Sequence, residues 1–412
     1  MPTTSPARHS ELLRYRDEFP LLSRSVYLNT CSLGARSTRS GSRLQEVLEQ
    51  WDHLGARAWY THWLDELADL RDDYAWTIRA TGDQIALAPN VSTALATIAS
   101  ALDPIHGGDP AALERLAGGG VQVGTRARPK VITTELDFPT LGHQWLARRA
   151  LGVELEILPS PDGLSVPLEA FAAAIDERTA LVATGQVYFT TGAAVDVGGL
   201  ADLCHERGAL LLIDAYQATG LLPTDVAALG IDLYVSGSLK WLFGGSGSAF
   251  LWVRPELQAA LEPTTTGWFS AARQFAFEIG TLEYASGGRK FELGTPSIPS
   301  AAIARGGIEV LREIGIDAIA ERTLDLGDRL IALADTGGLR VRAVRDPGRR
   351  GGIVAIEVAS PKSAVDGLAA AGVVADYRPG VVRISPAFYN TEEELALAIA
   401  ALDELVPASD RV

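Results

Sequence analysis

The chain has only 2 cysteines, Cys31 and Cys204, which are too few and too far apart for a disulfide framework or a metal cluster. No apolar run is long enough to span a bilayer. Residues Met1 to Leu22 carry charges throughout and lack the apolar stretch of a signal peptide. The formal net charge of −15 leaves no basic stripe for nucleic-acid phosphates. We therefore expect a cytoplasmic protein that uses no metal and binds neither membrane nor nucleic acid.

What is present is a regular alternation of short apolar runs and segments of helical spacing, from Ile85 onward. Such alternation predicts a largely parallel sheet with helices on both faces and ligand groups at the carboxyl ends of its strands. The predicted strands are Ile85–Leu87, Val131–Thr133, Leu181–Ala183, Leu210–Ile213, Leu233–Val235 and Ala249–Val253.

Outside this alternation, Ser37–Leu70 reads as helical, and Asp103–Lys130 reads as an insertion rich in glycine and arginine. We interpret the insertion as a solvated loop with a short helix at Ala111–Leu116, the alternative being an active-site lid. After Phe291 the pattern becomes mixed helix and strand, ending in a helix over Thr391–Leu405. These changes predict a segment over 1–35 that packs with a small domain, a large α/β domain over 36–290, and the small α+β domain over 291–412.

A lysine on a glycine- and serine-rich loop is the most informative feature. Lys240 lies within Ser236–Ser248, between two apolar runs, and Asp214 ends the preceding apolar run. A lysine amine forms a Schiff base with the aldehyde of pyridoxal 5′-phosphate, and a carboxylate keeps a proton on its pyridine nitrogen. Burial among apolar residues lowers a lysine pKa, which suits this chemistry. Because Lys240 and Asp214 come from successive strand–helix units, we predict a pyridoxal 5′-phosphate site.

Other residues fit the rest of this cofactor. Ser92 and Thr93 begin a helix after a strand, where free N–H groups and hydroxyls favour a phosphate. Phe138 follows another strand and can cover the pyridine ring, while Gln217 can donate to the phenolate oxygen. The alternative for Ser92 and Thr93 is an ordinary helix cap, and the alternative for Phe138 is a phenylalanine of the hydrophobic core.

The sequence resembles a known family through motifs at both functional loops. Asp214–Gln217, and Ser236–Lys240 with the glycine-rich run after it, are similar to class V enzymes of fold-type I, which depend on pyridoxal phosphate. That branch includes kynureninases, cysteine desulfurases, isopenicillin N epimerase-like proteins and some aminotransferases. The resemblance implies a mostly parallel, seven-stranded-type sheet between helices, with a smaller C-terminal α+β domain. Motifs similar to those of kynureninases are Val26–Gly34, Phe138–Thr140, Gly267–Phe269 and Phe291–Ile298.

The resemblance also implies further site residues. Arg383 lies in a stretch similar to the one whose arginine grips the substrate α-carboxylate, a contact that suits a bidentate guanidinium. Ser238, beside Lys240, joins the cofactor-binding set. Trp268 and Thr295 would reach into the partner subunit's site, which implies a homodimer with shared active sites.

The chain departs from both named relatives. Cysteine desulfurases carry a nucleophilic cysteine shortly before the carboxylate-binding arginine, and residues 372–382 contain none. We expect neither Cys31 nor Cys204 to be placed to serve instead. The positions that differ from kynureninases are Leu239 in place of tyrosine, Thr190 in place of a phosphate-contacting tyrosine, Gln217 in place of histidine, and Thr295 in place of the asparagine that binds the aryl substrate.

We therefore expect an enzyme that acts on an α-amino acid through an external aldimine and a Cα carbanion, with Lys240 as the base. The leading hypothesis is a Cβ–X lyase, cleaving C–S or C–C, on a substituted cysteine-like or kynurenine-like amino acid. An aminotransferase, an epimerase or a decarboxylation-linked deaminase would use the same residues. A non-catalytic regulatory protein with this fold is the alternative from another class.

Overall fold

A seven-stranded sheet forms the centre of the fold. The structure is a computed structural model that describes residues 11–118 and 126–406. After the short strand β1 (Val26–Tyr27), the sheet is built from β2 (Ile85–Ala88), β3 (Lys130–Thr134), β4 (Glu154–Leu158), β5 (Thr179–Gly185), β6 (Leu210–Asp214), β7 (Leu233–Gly237) and β8 (Ala249–Val253). The spatial order is β2-β8-β7-β6-β5-β3-β4. Strand β8 runs antiparallel to both of its neighbours, and the other pairs are parallel.

Helices cover both faces of this sheet, as predicted. Those of the described ranges are α1 (Thr38–Leu54), α2 (Leu64–Thr77), α3 (Val91–Gly107), α4 (Pro110–Gly118), α5 (Pro139–Leu146), α6 (Leu168–Ala174), α7 (Val197–Glu206), α8 (Pro255–Ala260), α9 (Ile298–Ile314), α10 (Ile316–Thr336), α11 (Pro361–Ala370) and α12 (Glu392–Leu405). None of them is long and apolar enough to cross a membrane.

Strand β6 is apolar from Leu210 to Ile213 because both of its faces are buried. Leu210 and Leu212 pack into the core on the α3 and α5 face of the sheet. Leu211 and Ile213 pack into the core on the opposite face, with α2 and α7. Successive side chains of a strand point to opposite faces, so a strand buried on both faces needs apolar residues throughout. The carboxyl end of such a strand delivers Asp214 into the protein interior.

The structure corrects several predicted elements. The helix predicted over Ser37–Leu70 is divided into α1 and α2, because α1 ends at Gly55, whose φ of +53° breaks the helical path. Strand β4 was not predicted, since it is an edge strand with charged residues and only one buried side chain. The helical piece predicted near Val226 is a series of turns. The helix predicted within the 103–130 insertion is α4, and residues 119–125 of that insertion lie outside the described ranges.

A second, antiparallel sheet follows α10. It contains β9 (Val341–Arg342), β10 (Val354–Glu357), β12 (Asp376–Arg378) and β13 (Val381–Ile384) in the order β12-β13-β10-β9. Its core includes side chains of α10 and α12. Strand β1 pairs in parallel with β11 (Val373–Val374) in a separate two-stranded sheet. Leu28, directly after β1, packs into the same core as the four-stranded sheet, whereas α9 packs on α1. The predicted domain boundaries at 35 and 290 stay a prediction, and residues 1–10 lie outside the described ranges.

Candidate active site

Five predicted site residues line one cavity of about 230 Å³. They are Phe138, Asp214, Gln217, Lys240 and Arg383. The cavity opens where the carboxyl ends of β3, β5 and β6 meet the loop after β7. Parallel strands place their carboxyl ends at the same edge of a sheet, which is why residues far apart in sequence come together here.

The Lys240 amine is enclosed by aromatic rings. Its Nζ lies 4.5 Å from the centroid of the Tyr216 ring and 6.0 Å from that of Phe138. Burial lowers the pKa of Lys240 to about 8, although the Asp214 charge acts in the opposite direction. Since no carboxylate of the described chain forms an ion pair with this amine, it is available to react.

Asp214 is a buried carboxylate with one hydrogen bond, from the backbone N–H of Tyr216 at 3.0 Å. Burial raises the pKa of Asp214 to about 6, against the opposing effects of that N–H and of the Lys240 charge. A buried carboxylate with so few donors is costly unless a cation approaches it. A protonated pyridine nitrogen is such a cation.

Asp137 is a second buried carboxylate beside Asp214, and the sequence reading did not single it out. It accepts hydrogen bonds from side chains or backbone of Thr133, Thr134, Thr184 and Gly185, at distances from 2.6 to 3.1 Å. These donors lie at the ends of β3 and β5, so Asp137 joins the two strands at the cavity. Its position next to Phe138, directly after a strand, was the available sequence signal.

Phe138 and Gln217 both face the cavity. The Phe138 ring packs edge-on against Phe189, with centroids 5.2 Å apart. The Gln217 amide nitrogen donates to the Cys31 carbonyl at 2.9 Å, and its oxygen accepts from Trp241 Nε1 at 3.0 Å. Because an amide nitrogen carries two hydrogens, Gln217 keeps one donor for a ligand.

Ser92 and Thr93 do not line the cavity but lie close to its edge. The Asn90 side chain caps α3 by accepting from the Thr93 backbone N–H at 2.8 Å and from its hydroxyl at 3.0 Å. The Ser92 hydroxyl lies 2.7 Å from that of Thr140, two residues after Phe138. The first turn of α3 is thus connected to the ring-covering loop, and the phosphate role of Ser92 and Thr93 stays a prediction.

Three further predicted cofactor residues lie outside this cavity within one chain. The Ser238 hydroxyl is 2.8 Å from the Gly245 carbonyl and 3.0 Å from the Ser248 carbonyl, so it holds the lysine loop together. Trp268 belongs to a group of surface aromatic rings, and Thr295 lines a separate depression. Their contacts with a cofactor stay predictions.

Arg383 is held by a hydrogen-bond network that the sequence did not predict. One terminal nitrogen donates to Asp376 and, at 3.0 Å, to the Ser32 hydroxyl, and the other donates to the Phe189 carbonyl. The Arg383 side chain is only 1% exposed, yet its buried Nε has no hydrogen-bond partner. Arg378 shares Asp376, at 2.9 and 3.0 Å.

Cys31 lines the cavity, a position that the sequence did not predict, and the expectation that neither cysteine serves as a nucleophile stays a prediction. Its sulfur lies 3.8 Å from Asn29 Oδ1 and 3.9 Å from the Ser32 hydroxyl. The turn that carries it packs on the Lys240 loop, where the Gly34 N–H donates to the Leu239 carbonyl at 2.8 Å, a contact that long sequence separation concealed. Cys204 is buried in α7, and burial raises the pKa of its thiol.

The comparisons with known sequences cover nearly the whole chain. The family described as "Aminotransferase class-V" matches residues 112–397. The chain is 30% identical over 389 residues to the "Uncharacterized aminotransferase YcbU" of Bacillus subtilis (strain 168), covering 94% of this chain and 96% of that protein. It is also 30% identical over 404 residues to the kynureninase of Pseudomonas fluorescens, covering 95% and 91%.

Solved structures share the fold at lower identity. The apo structure of a cysteine desulfurase from Thermococcus onnurineus NA1 has a TM-score of 0.83 at 21% identity, covering 98% of this chain and 99% of that one. The cystine C–S lyase C-DES, in complex with cysteine persulfide, has a TM-score of 0.82 at 20% identity, covering 94% and 100%.

Fold and site together define a fold-type I enzyme that depends on pyridoxal 5′-phosphate. The chain belongs to the aminotransferase class-V family. The residues present fit the cofactor, because Lys240 offers a buried amine and Asp214 a buried carboxylate that lacks a cation. The predictions of family, fold class, cofactor and enzymatic nature are confirmed.

Proposed function

We propose that this enzyme is a Cβ–X lyase, cleaving a C–S or C–C bond of a substituted cysteine-like or kynurenine-like amino acid. The observation that carries the proposal is that Lys240, Asp214 and Arg383 line one cavity. This arrangement supplies a base, a partner for a positive charge and a carboxylate clamp within the reach of one amino acid. The 30% identity to a kynureninase supports the lyase reading.

Each of the three residues has a distinct task. When bound, pyridoxal 5′-phosphate supplies an aldehyde for amino groups and a ring that takes up the electrons of a bond broken at Cα. Lys240 removes the Cα proton, and its lowered pKa makes the neutral amine available near neutral pH. Asp214 holds a proton on the ring nitrogen. Arg383 binds the α-carboxylate and so fixes which bond at Cα faces the ring.

The remaining cavity wall suits the departing group. Leu136, Leu141, Val187 and Leu239 line the cavity together with the aromatic rings. Leu239 stands where kynureninases have a tyrosine, so no phenol is available at that position. An apolar wall accommodates an alkyl or aryl thioether, and this favours C–S cleavage among the two lyase options.

The test is incubation of the holoenzyme with S-substituted cysteines of increasing side-chain size. A Cβ–S lyase consumes one amino acid and one water and releases pyruvate, ammonium and a thiol in equal amounts. We expect these products with the wild type and with Lys362→Ala, an exposed lysine on α11. We expect none with Lys240→Ala.

The second candidate is an aminotransferase, which the identity to YcbU favours. In that case the same incubation gives pyridoxamine phosphate in an amount equal to the enzyme, no thiol, and continued turnover only when a 2-oxo acid is added. The absence of pyruvate and thiol across the series contradicts C–S cleavage, the lyase option that the cavity wall favours. Recovery of the amino acid as its opposite enantiomer would identify an epimerase. Release of carbon dioxide would identify a decarboxylation-linked deaminase.

Our proposal for the phosphate places it at the first turn of α3. Ser92 and Thr93 offer hydroxyls and N–H groups at the start of a 17-residue helix. The contact between Ser92 and Thr140 supports this, since it brings the turn beside the Phe138 loop. Substitution of both hydroxyl residues by alanine is expected to weaken cofactor retention during dialysis.

We further propose a homodimer in which Trp268 and Thr295 complete the partner's site. An aromatic patch supports this, consisting of Tyr60, Trp268, Phe275 and Phe277. Tyr60 packs 5.9 Å from Phe275, and Trp268 stacks 5.8 Å from Phe277, between ring centroids. Tyr60 is 70% and Phe277 is 68% exposed. Aromatic side chains clustered on a surface mark contact sites, and the second copy of this chain is the occupant we infer.

A further inference from the structure

Two guanidinium groups and one carboxylate meet at one end of the cavity. Arg378 and Arg383 both donate to Asp376, and both lie over the Phe189 ring, at 5.9 and 6.0 Å from its centroid. Ser32 donates to the same carboxylate while accepting from Arg383. Asp376 is thus the counter-charge that these two arginines share.

Hydrogen bonding keeps Asp376 charged. Burial acts to raise the pKa of Asp376, but the hydrogen bonds from Ser32 and Arg383 and the two arginine charges outweigh it, so its pKa lies below the ordinary value. The three groups therefore sum to one positive charge. The charges of both arginines also reach the reacting end of the cavity, because both lower the pKa of Lys240.

The other charged residues that line the cavity form no ion pair with either arginine. Lys240 and Asp214 are assigned to the cofactor. Asp137 accepts its hydrogen bonds from neutral groups of β3 and β5 and forms no ion pair with Arg378 or Arg383, so it is not part of this arginine group. One substrate carboxylate bound by Arg383, which lines the cavity, therefore neutralises the single positive charge of Arg378, Arg383 and Asp376.

We infer that Asp376 makes this site selective for amino acids with a single carboxylate, and that the substrate carries an uncharged side chain. This inference rests on the proposed function for the role of Arg383. A second carboxylate would face the apolar side chains of Leu136, Leu141 and Leu239 without a counter-charge. Burying an unpaired charge there is unfavourable, and Asp376 already takes up one of the two arginine charges that would otherwise offset it.

The experiment compares butanoate with succinate, which have four carbons each and differ by one carboxylate. Their dissociation constants for the holoenzyme are measured by calorimetry or ligand-observed NMR near neutral pH, so turnover is not required. We expect succinate to bind the wild type at least about tenfold more weakly than butanoate. Asp376→Asn keeps the shape and removes the charge, and we expect it to reduce or reverse this ratio.

Two further variants separate charge from folding. Asp376→Glu is expected to retain the wild-type ratio because it keeps the charge. Asp366→Asn, at an exposed acid that pairs with Lys362 at 2.7 Å, is the matched control and should leave both constants unchanged. Melting temperatures establish that each variant is folded, and the wild-type ratio tests the inference even if Asp376→Asn is not.

The outcomes are distinct. Succinate binding to the wild type as tightly as butanoate overturns the inference, and so does an unchanged ratio in folded Asp376→Asn. Binding of neither anion overturns the carboxylate clamp itself and, with it, this part of the proposed function. A failure of the lyase assay leaves the ratio measurable, so the two proposals fail separately.

Discussion

At the scale of single residues, Lys240 shows how burial creates a reactive group. Burial lowers the pKa of Lys240 to about 8, so its reactive neutral form becomes available at a lower pH than that of a surface lysine. The Asp214 charge acts in the opposite direction on this pKa, but burial has the larger effect. The two groups therefore share a cavity without forming an ion pair, which leaves both available to a cofactor.

This lowered pKa predicts the pH dependence of Lys240 labelling in protein from which the cofactor has been removed. A neutral amine is the reactive form, and a lowered pKa means that the neutral form predominates above about pH 8. Reductive methylation followed by mass spectrometry should show Lys240 half-labelled near that pH. Lys362 is the control, since its exposed amine pairs with Asp366, which raises its pKa. Lys362 should reach half-labelling only above about pH 10. Equal labelling midpoints for Lys240 and Lys362 would contradict the conclusion that burial lowers the pKa of Lys240.

At the scale of elements, the hairpin of β12 and β13 positions the carboxylate clamp. Pro379 and Gly380 form its two-residue turn, so Arg378 pairs with Val381 and Asp376 pairs with Arg383. Directly paired residues on one face of an antiparallel ladder have neighbouring side chains. The turn therefore sets the register that joins Asp376 to Arg383.

We predict that Gly380→Ala destabilises the protein and weakens butanoate binding. Gly380 has a φ of +80°, and an added Cβ would meet no atom within 4 Å, so the backbone conformation alone opposes the substitution. We expect the free energy of unfolding to fall by about 1–2 kcal/mol in chemical denaturation. Gly142→Ala is the matched control: it also meets no neighbouring atom, but it lies within α5 with an ordinary φ. That variant should be more stable by about 0.5–1 kcal/mol. A destabilisation of the same size in both variants would show that the turn conformation is not the cause.

The elements that the sequence predicted are those whose pattern is local. Buried strands such as β6 are continuous apolar runs, and α12 begins with a capping box formed by Thr391 and Glu394. Strand β12 has no such pattern, because its three residues are polar and partly exposed. For this reason the sequence did not predict Asp376 as a site residue. The Pro-Gly turn before Arg383 nevertheless indicates which residues of the hairpin pair with each other.

At the scale of the whole molecule, some of the predicted site residues lie in one cavity of a single chain, and others lie outside it. Lys240, Asp214, Phe138 and Gln217 lie together because the carboxyl ends of the strands meet at one edge, and Arg383 reaches the same cavity from β13 of the second sheet. Cys31 reaches the same cavity from the N-terminal segment, and a contact between turns 186 residues apart left no pattern in the sequence. Trp268 and Thr295 lie away from this cavity, so only a second chain could bring them to a site of this kind.

That arrangement predicts complementation between two inactive variants. If Trp268 serves the partner's site, a dimer of one Lys240→Ala chain and one Trp268→Ala chain contains one site with both residues intact. Such mixed dimers, co-expressed with two affinity tags and purified through both, should have about half of the wild-type activity per dimer. Homodimers of either variant should have little.

The sharpest control carries the same two substitutions in one chain, paired with a wild-type chain. If Trp268 acts across the interface, the site of the wild-type chain has an alanine in place of the partner's tryptophan. The site of the other chain lacks Lys240, so this dimer has no complete site. When Trp268 acts within its own chain, the result reverses: this dimer keeps half of the activity and the first mixed dimer has none. Sedimentation of the wild type as a monomer would remove the basis for either result, because the exposed aromatic patch would then have no second copy to cover it.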